Sequence, residues 1–173
     1  MIDLSQVDLL MYPTDTIYGV GCNAEDEFLV EQIREMKQRP EKPVSVIVPS
    51  MEWIYENCHV SRQAKHFVKK LPGPYTFVLP LKNPGAVADS VTKGTGKVGV
   101  RMPNHWISQD VQKYGKPFVT TSVNVSGQPH CTNPGELDEE LKRYIDVAID
   151  VGYLDNGASI VYDCSVVPPQ RLR

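Results

Sequence analysis

Positive charge is in short supply. With 18 lysines and arginines against 21 carboxylates, the chain has a net charge of −3. That balance excludes the uniformly basic surface of a dedicated, non-specific nucleic-acid binder and leaves room only for a local basic groove. Long apolar runs are missing too: no segment approaches the ~18 residues of a membrane helix, and no basic stretch followed by an apolar run opens the chain. Neither a leader nor a membrane partner is expected, and the chain reads as cytoplasmic. Its four cysteines, Cys22, Cys58, Cys131 and Cys164, form no Cys-x-x-Cys pair, so neither a zinc knuckle nor a disulfide framework is signalled and reduced thiols are expected. Cys58-His59 and His130-Cys131 are adjacent, but neighbours on a strand point to opposite faces, which argues against a metal site. No Gly-x-x-x-x-Gly-Lys-Ser/Thr occurs, so this is not a P-loop protein. Repeats, low-complexity segments, a Ser-His-Asp signature and paired carboxylates are likewise absent.

The 173 residues are 41% hydrophobic and 23% charged, the size and mixture of one globular domain over residues 1–173 with no room for a second. The organising stretch runs from Tyr12 to Lys42. Val7 to Tyr12 has the apolar pattern of a buried strand, which Pro13 ends. Thr14, Asp15, Thr16 and Tyr18 then place polar groups beside Gly19 and Gly21, whose missing side chains let a ligand approach backbone amides. An ordinary hydroxyl-rich turn is the alternative. From Asp26, a fair N-cap, Leu29, Ile33 and Met36 follow helical spacing. Lys37 and Arg39 fall in the last turn, where the helix dipole favours cations even without function, and Pro40 stops the helix. Lys42 and a buried strand from Val44 to Val48 follow, so three cations gather at a sheet edge, which favours a polyanion.

Further along, helices are expected at Met51 to Asn57 and Ser61 to Leu71, with Lys65, Lys69 and Lys70 read as a solvated face. Pro72-Gly73-Pro74 is a rigid break before a strand from Tyr75 to Leu81. Lys82 to Lys97, with Gly85, Gly94 and Gly96 and little apolar periodicity, suggests a mobile loop over a site. A strand from Val98 to Met102, a helix from Trp106 to Tyr114, a strand from Pro117 to Ser122, a helix from Gly135 to Tyr144 and strands at Ile145 to Val151 and Ser159 to Asp163 complete the pattern. The order predicts an α/β fold with a twisted mixed sheet of about seven strands. Two stretches match dinucleotide fingerprints. Gly94 to Gly99 fails because a strand follows it, whereas Gly19-Val20-Gly21-Cys22-Asn23-Ala24 is followed by a helix and remains a competitor.

Taken together, the motifs resemble the YrdC/YciO-type domain of threonylcarbamoyl-AMP synthases over nearly the whole chain. They are Tyr12-Pro13-Thr14-Asp15-Thr16 with Tyr18-Gly19, Lys37-x-Arg39-Pro40, Pro72-Gly73-Pro74 with Thr76, Val100-Arg101-x-Pro103, Ser122-x-Asn124-x-Ser126-Gly127, and Ser159 to Asp163. The resemblance implies a twisted mixed α/β sheet flanked by helices, with a concave basic groove. By matching position, Thr16, Arg101, Thr120 and Ser159 would contact threonine. Lys37, Arg39, Lys42, Ser122, Asn124, His130 and Arg173 would surround ATP, with Lys37, Arg39, Ser122 and Asn124 as the catalytic set. Some relatives carry a histidine where this chain has Val46, Ile47 and Val48, and a second serine where it has His130. The chain stops at Arg173 without the further C-terminal domain of some relatives, and so resembles the short, single-domain form or a piece cut just after the last motif.

The implied activity joins L-threonine, bicarbonate and ATP, the last with magnesium, into threonylcarbamoyl-AMP and pyrophosphate. A downstream transferase would consume the product in making threonylcarbamoyladenosine on tRNA, and tRNA itself is a further expected partner; no metal ligand is assigned. A carbamate is already anionic, so positioning and charge stabilisation can carry the nucleotidyl step without a strong base. Three readings stay open beside it. They are an RNA-binding module of the same type, a carbamoyltransferase-type relative without threonine activity, and a dinucleotide oxidoreductase resting on residues 19–24.

Overall fold

The computed structural model describes residues 2–39 and 41–173; Pro40, the expected helix stop, lies outside the described residues. Among these described residues, one mixed sheet of nine strands forms the frame: β1 (Leu10–Tyr12), β2 (Gly19–Gly21), β3 (Ser45–Ile47), β4 (Tyr75–Pro80), β5 (Lys97–Arg101), β6 (Phe118–Ser122), β7 (Val147–Ala148), β8 (Ile160–Asp163) and β9 (Gln170–Arg171). The spatial order is β7-β1-β2-β6-β3-β5-β4-β8-β9. β1 with β7, β3 with β5 and β4 with β8 run parallel, and the other neighbours are antiparallel. Strands distant in sequence therefore lie side by side.

Alternation along the strands divides the two faces. Val46, Phe77, Leu79, Val98, Val100 and Val119 point to one side, where α1 (Glu27–Met36), α2 (Met51–Asn57), α3 (Ala64–Val68) and α4 (Asp89–Thr92) cover them with Val30, Ile33, Ile54, Val68 and Val91. On the other side α5 (Trp106–Tyr114) packs Ile107 and Val111 over Tyr12, Ile47 and Phe118. It covers only part of that face. Ser45, Gly99 and Thr120, farther along the same strands, stay open and become the floor of a cleft. A third cluster of Met11, Tyr18, Val20, Met36, Leu137 and Leu141 seals the end near α6 (Glu139–Lys142).

Local chemistry explains most boundaries. Asp26 caps α1 by accepting from the Leu29 amide at 3.1 Å, and Ser50 caps α2 by accepting from Trp53 at 3.1 Å. Several expectations are corrected. The stretch 82–97 is no free loop, because Val87 and Val91 are buried in the core on a short turn and α4. The helix expected at 135–144 is shortened to α6, since Asp138 caps it late by accepting from the Glu140 amide at 2.8 Å. The strand expected at 145–151 shrinks to β7, held only by β1 at the sheet edge. β9 had no apolar pattern to announce it; both of its residues are exposed.

Gly21 is explained by packing. A methyl there would sit 1.9 Å from the Val119 carbonyl oxygen and 2.7 Å from the Phe118 ring, so β2 can lie this close to β6 only without a side chain. Gly21→Ala should lower stability by roughly 3 kcal/mol or more, since backbone cannot give way as a flexible side chain can. Thermal unfolding followed by circular dichroism should show a fall in Tm of about 6–12 °C.

Candidate functional site

The open half of the sheet is a cleft of about 550 Å³. β2, β3, β4, β5, β6 and β8 contribute Gly19, Ser45, Thr76, Gly99, Thr120 and Val161, and loops add Arg39, His130 and Ser159. Arg39, Lys97, Arg101 and Arg173 line it, and among the described residues no side-chain carboxylate does.

Lys37 departs most from expectation. As a last-turn lysine it should be solvated, yet it is 1% exposed. Its Nζ donates to the Ser122 carbonyl at 2.5 Å, the Asn124 side-chain Oδ1 at 2.8 Å and the Asn124 carbonyl at 3.0 Å. Three ammonium protons thus meet three acceptors. Burial, with Arg39 beside it, pushes the group down to about 8, whereas the surrounding oxygens favour the charged form. Ser122 Oγ donates to Asn124 Oδ1 at 2.7 Å, and the Ser126 amide donates to the Lys37 carbonyl at 2.9 Å. Lys37 is therefore a joint that fixes the end of β6, while Ser122 and Asn124 face the cleft.

A second joint stands under Arg101. Thr14 Oγ1 donates to the Ile17 carbonyl at 2.8 Å and lies 2.9 Å from Thr16 Oγ1. Since each hydroxyl has one proton, Thr16 must donate to Thr14 and is left to accept from Arg101 at 3.3 Å. Asp15 adds an ion contact to Arg101 at 3.5 Å and also accepts the Asn104 amide at 2.9 Å. Thr16 thus holds Arg101 from below and does not itself line the cleft.

Some polar atoms here lack partners. Arg39 Nε, Arg101 Nε and Thr120 Oγ1 are buried without a hydrogen bond of good geometry, although the Tyr12 phenol lies close to Thr120. Burial lowers the Arg101 guanidinium from its usual range; Tyr12 and Asp15 oppose this and Arg173 adds to it. Burial also lowers Arg39, with Arg34 and Arg173 contributing repulsion. Arg173 thus repels both Arg39 and Arg101, and burial adds to the cost of their charge, so the cleft is a site that an anion would relieve.

At the far wall, Ser159 Oγ lies 3.0 Å from Thr76 Oγ1 and accepts from Arg173 at 3.2 Å, while Arg173 Nε donates to the Ser159 carbonyl at 3.1 Å. His130 Nε2 lies 3.2 Å from Asp155. Lys42 is exposed and does not line the cleft; its carbonyl accepts from buried Arg34 at 2.9 Å. Sequence reasoning quoted Thr76 in a motif but gave it no place in the site, and it left out Lys97. A threonine between Tyr75 and Phe77 was the signal for the first, a polar residue on the alternate face of an apolar strand. The dinucleotide reading is corrected, because Gly19 to Gly21 form β2 itself and not a phosphate-binding turn.

With this geometry in view, comparison with known proteins is decisive. The profile of the Sua5/YciO/YrdC family, described as telomere recombination, matches residues 4–173. The chain belongs to the Sua5/YciO/YrdC family. A threonylcarbamoyl-AMP synthase from Pyrococcus abyssi is 35% identical over 95% of this chain and 49% of its own length. One from Vibrio campbellii is 32% identical over 78% of this chain and 75% of its own. The crystal structure of P. abyssi Sua5 complexed with L-threonine superposes with a TM-score of 0.86 at 33% identity, covering 98% of this chain and 52% of that one. The chain thus spans about half the length of these Pyrococcus relatives. The shared architecture is the mixed sheet flanked by helices.

Lys37→Met keeps the aliphatic stem and removes the ammonium, leaving the Ser122 and Asn124 oxygens unpaired. Each buried unpaired group costs about 1–3 kcal/mol, so a Tm loss of roughly 5–10 °C is expected by calorimetry. A loss under about 1 °C would return Lys37 to the role of a solvated cation.

Proposed function

We propose that this chain is an L-threonylcarbamoyladenylate synthase, a cytoplasmic nucleotidyltransferase contained in a single domain. The observation that carries this reading is the convergence of Arg39, Arg101 and Arg173 on one carboxylate-free cleft beside the buried hydroxyls of Thr120 and Ser159. The activity of its Sua5/YciO/YrdC relatives supports the assignment. Threonine's amine and carbon dioxide from bicarbonate form a carbamate with release of a proton. A carbamate oxygen attacks the α-phosphorus of ATP, the bond from that phosphorus to the bridging oxygen breaks, and pyrophosphate leaves.

Each residue's part follows from its placement. Arg101, fixed by Thr16 and Asp15, suits the threonine carboxylate, because a guanidinium offers paired donors to a planar anion. Thr120 and Ser159 face the same space and offer hydroxyls to threonine. Arg39 and Arg173 offset the charge of the triphosphate, which grows on the leaving pyrophosphate. Lys37 adds its charge from below while holding Ser122 and Asn124 toward the nucleotide. Magnesium arrives with ATP as part of the substrate; the cleft offers it hydroxyl and amide oxygens but no carboxylate. The product is an activated acyl group, so an acyl transferase is the consumer the chemistry requires, and tRNA is the acceptor that the family resemblance implies.

Pyrophosphate release from ATP and bicarbonate should depend on threonine. Valine should be poor, since it leaves the hydroxyl-binding groups unpaired at about 1–3 kcal/mol, and serine should be weaker than threonine yet measurable, since it lacks only a methyl. Arg101→Ala should weaken all amino acids alike. Equal rates with threonine and valine would remove Thr120 and Ser159 from the amino-acid pocket, and pyrophosphate release without any amino acid would overturn the whole reading.

A further inference from the structure

The cleft leaves one strongly charged feature unused. Residues 57–88 contain Arg62, Lys65, Lys69, Lys70 and Lys82 and not one of the chain's 21 carboxylates, although the protein as a whole is acidic. Four of these cations belong to α3 and its flanking turns. Ser61 caps the segment by accepting from the Ala64 amide at 3.1 Å, and helical bonds run on through Leu71 to Val68.

Spacing sorts the side chains. Ala64, Val68 and Leu71 are buried against the sheet, and Phe67 meets Tyr162 at 4.9 Å and Phe77 at 6.3 Å between ring centres. Arg62, Lys65, His66 and Lys69, at i, i+3, i+4 and i+7, form the opposite, exposed stripe. Lys70 is pinned at its edge, 5.2 Å above Phe67 and 5.5 Å above Tyr75. Among the described residues, none of Arg62, Lys65, Lys69 or Lys70 is in an ion pair, whereas Lys93, Lys116 and Lys142 are paired with Glu31, Glu25 and Glu139. Alternation along β4 puts the stripe on the far side of the sheet from the cleft: Thr76 and Val78 face the cleft, and Phe77 faces α3.

We propose that this stripe is a docking surface for the phosphate backbone of RNA. Unpaired cations exposed at successive helical positions are what a phosphate backbone takes, whereas the centre of a protein interface is depleted in lysine; the half-buried Phe67 and Tyr75 lie only at the edge, under Lys70. Insertion into a membrane surface needs a free apolar helix face, and here that face is spent on Phe77 and Tyr162. The choice of RNA over DNA rests on the proposed function, whose product is used on tRNA. Docking from behind leaves the cleft free for small substrates.

The test uses fluorescence anisotropy with a tRNA transcript over a range of salt concentrations, against the triple variant Arg62→Gln, Lys65→Gln, Lys69→Gln. With about 0.7–0.9 in slope per phosphate contact, the triple should lower the dependence of log K on log salt by about 2 to 3 and weaken binding roughly tenfold or more near 0.1 M salt. A control with the same loss of charge, Lys93→Gln, Lys116→Gln, Lys142→Gln, should bind as the wild type does. Equal losses in the two triples, or none in the first, would overturn the surface. Duplex DNA or phosphatidylserine vesicles bound as tightly as tRNA would overturn the assignment to RNA. Pyrophosphate release from free substrates should be unchanged in the first triple. A wild type that bound tRNA through the stripe but released no pyrophosphate would remove the reading of the cleft while leaving this one.

Discussion

The wall of the cleft where β6 ends depends on one buried ammonium group. Lys37 joins the end of α1 to the end of β6, and its three donors take up the two carbonyls and the amide oxygen that would otherwise splay as β6 leaves the sheet. Taking a charge out of water is unfavourable unless hydrogen bonds replace the lost hydration, and here acceptors surround it. A lysine so placed makes Ser122 and Asn124 rigid, and rigid donors and acceptors are what a charge-stabilising site needs, because nothing has to reorganise during the reaction.

Arg101 follows the same logic by another route. Its orientation comes from a chain of hydroxyls whose proton order has a single solution, running from Thr16 through Thr14 to the Ile17 carbonyl. Both devices keep a cation in place from beneath while the face toward the ligand stays open. The unpaired Arg39 Nε, Arg101 Nε and Thr120 Oγ1 are the complement of that arrangement, for a buried donor without a partner persists where a ligand supplies one.

The motifs were legible in the sequence because each carries its own local chemistry. Asp26, Ser50 and the apolar spacing of Leu29, Ile33 and Met36 marked the helices, and the motif residues Arg39, Arg101, Ser122, Asn124 and Ser159 marked the lining of the cleft. What stayed hidden depended on partners far along the chain. No periodicity says that Lys37 turns inward, since the acceptors it meets belong to a strand end reached only after seven intervening elements, β3, α2, α3, β4, α4, β5 and α5. Gly21 suggested room for a ligand but serves the close approach of β2 to β6, a difference set by a neighbour's carbonyl. The short strand β9 lacks any pattern of its own and is defined by edge pairing alone, whereas the apolar run 145–151 announced a longer strand than the two residues of β7 that pair.

Strand order also constrains how the protein is made. β1 waits for β7, β4 waits for β8, and β2 waits for β6, so loops of many residues must close before these pairs form, which slows folding. Thr76 acquires its neighbour Ser159 only when the last part of the sheet has been synthesised. A chain still emerging from the ribosome therefore displays the lysine-rich α3 segment long before it owns a cleft, and an unfinished copy has no closed pocket in which to hold a small molecule.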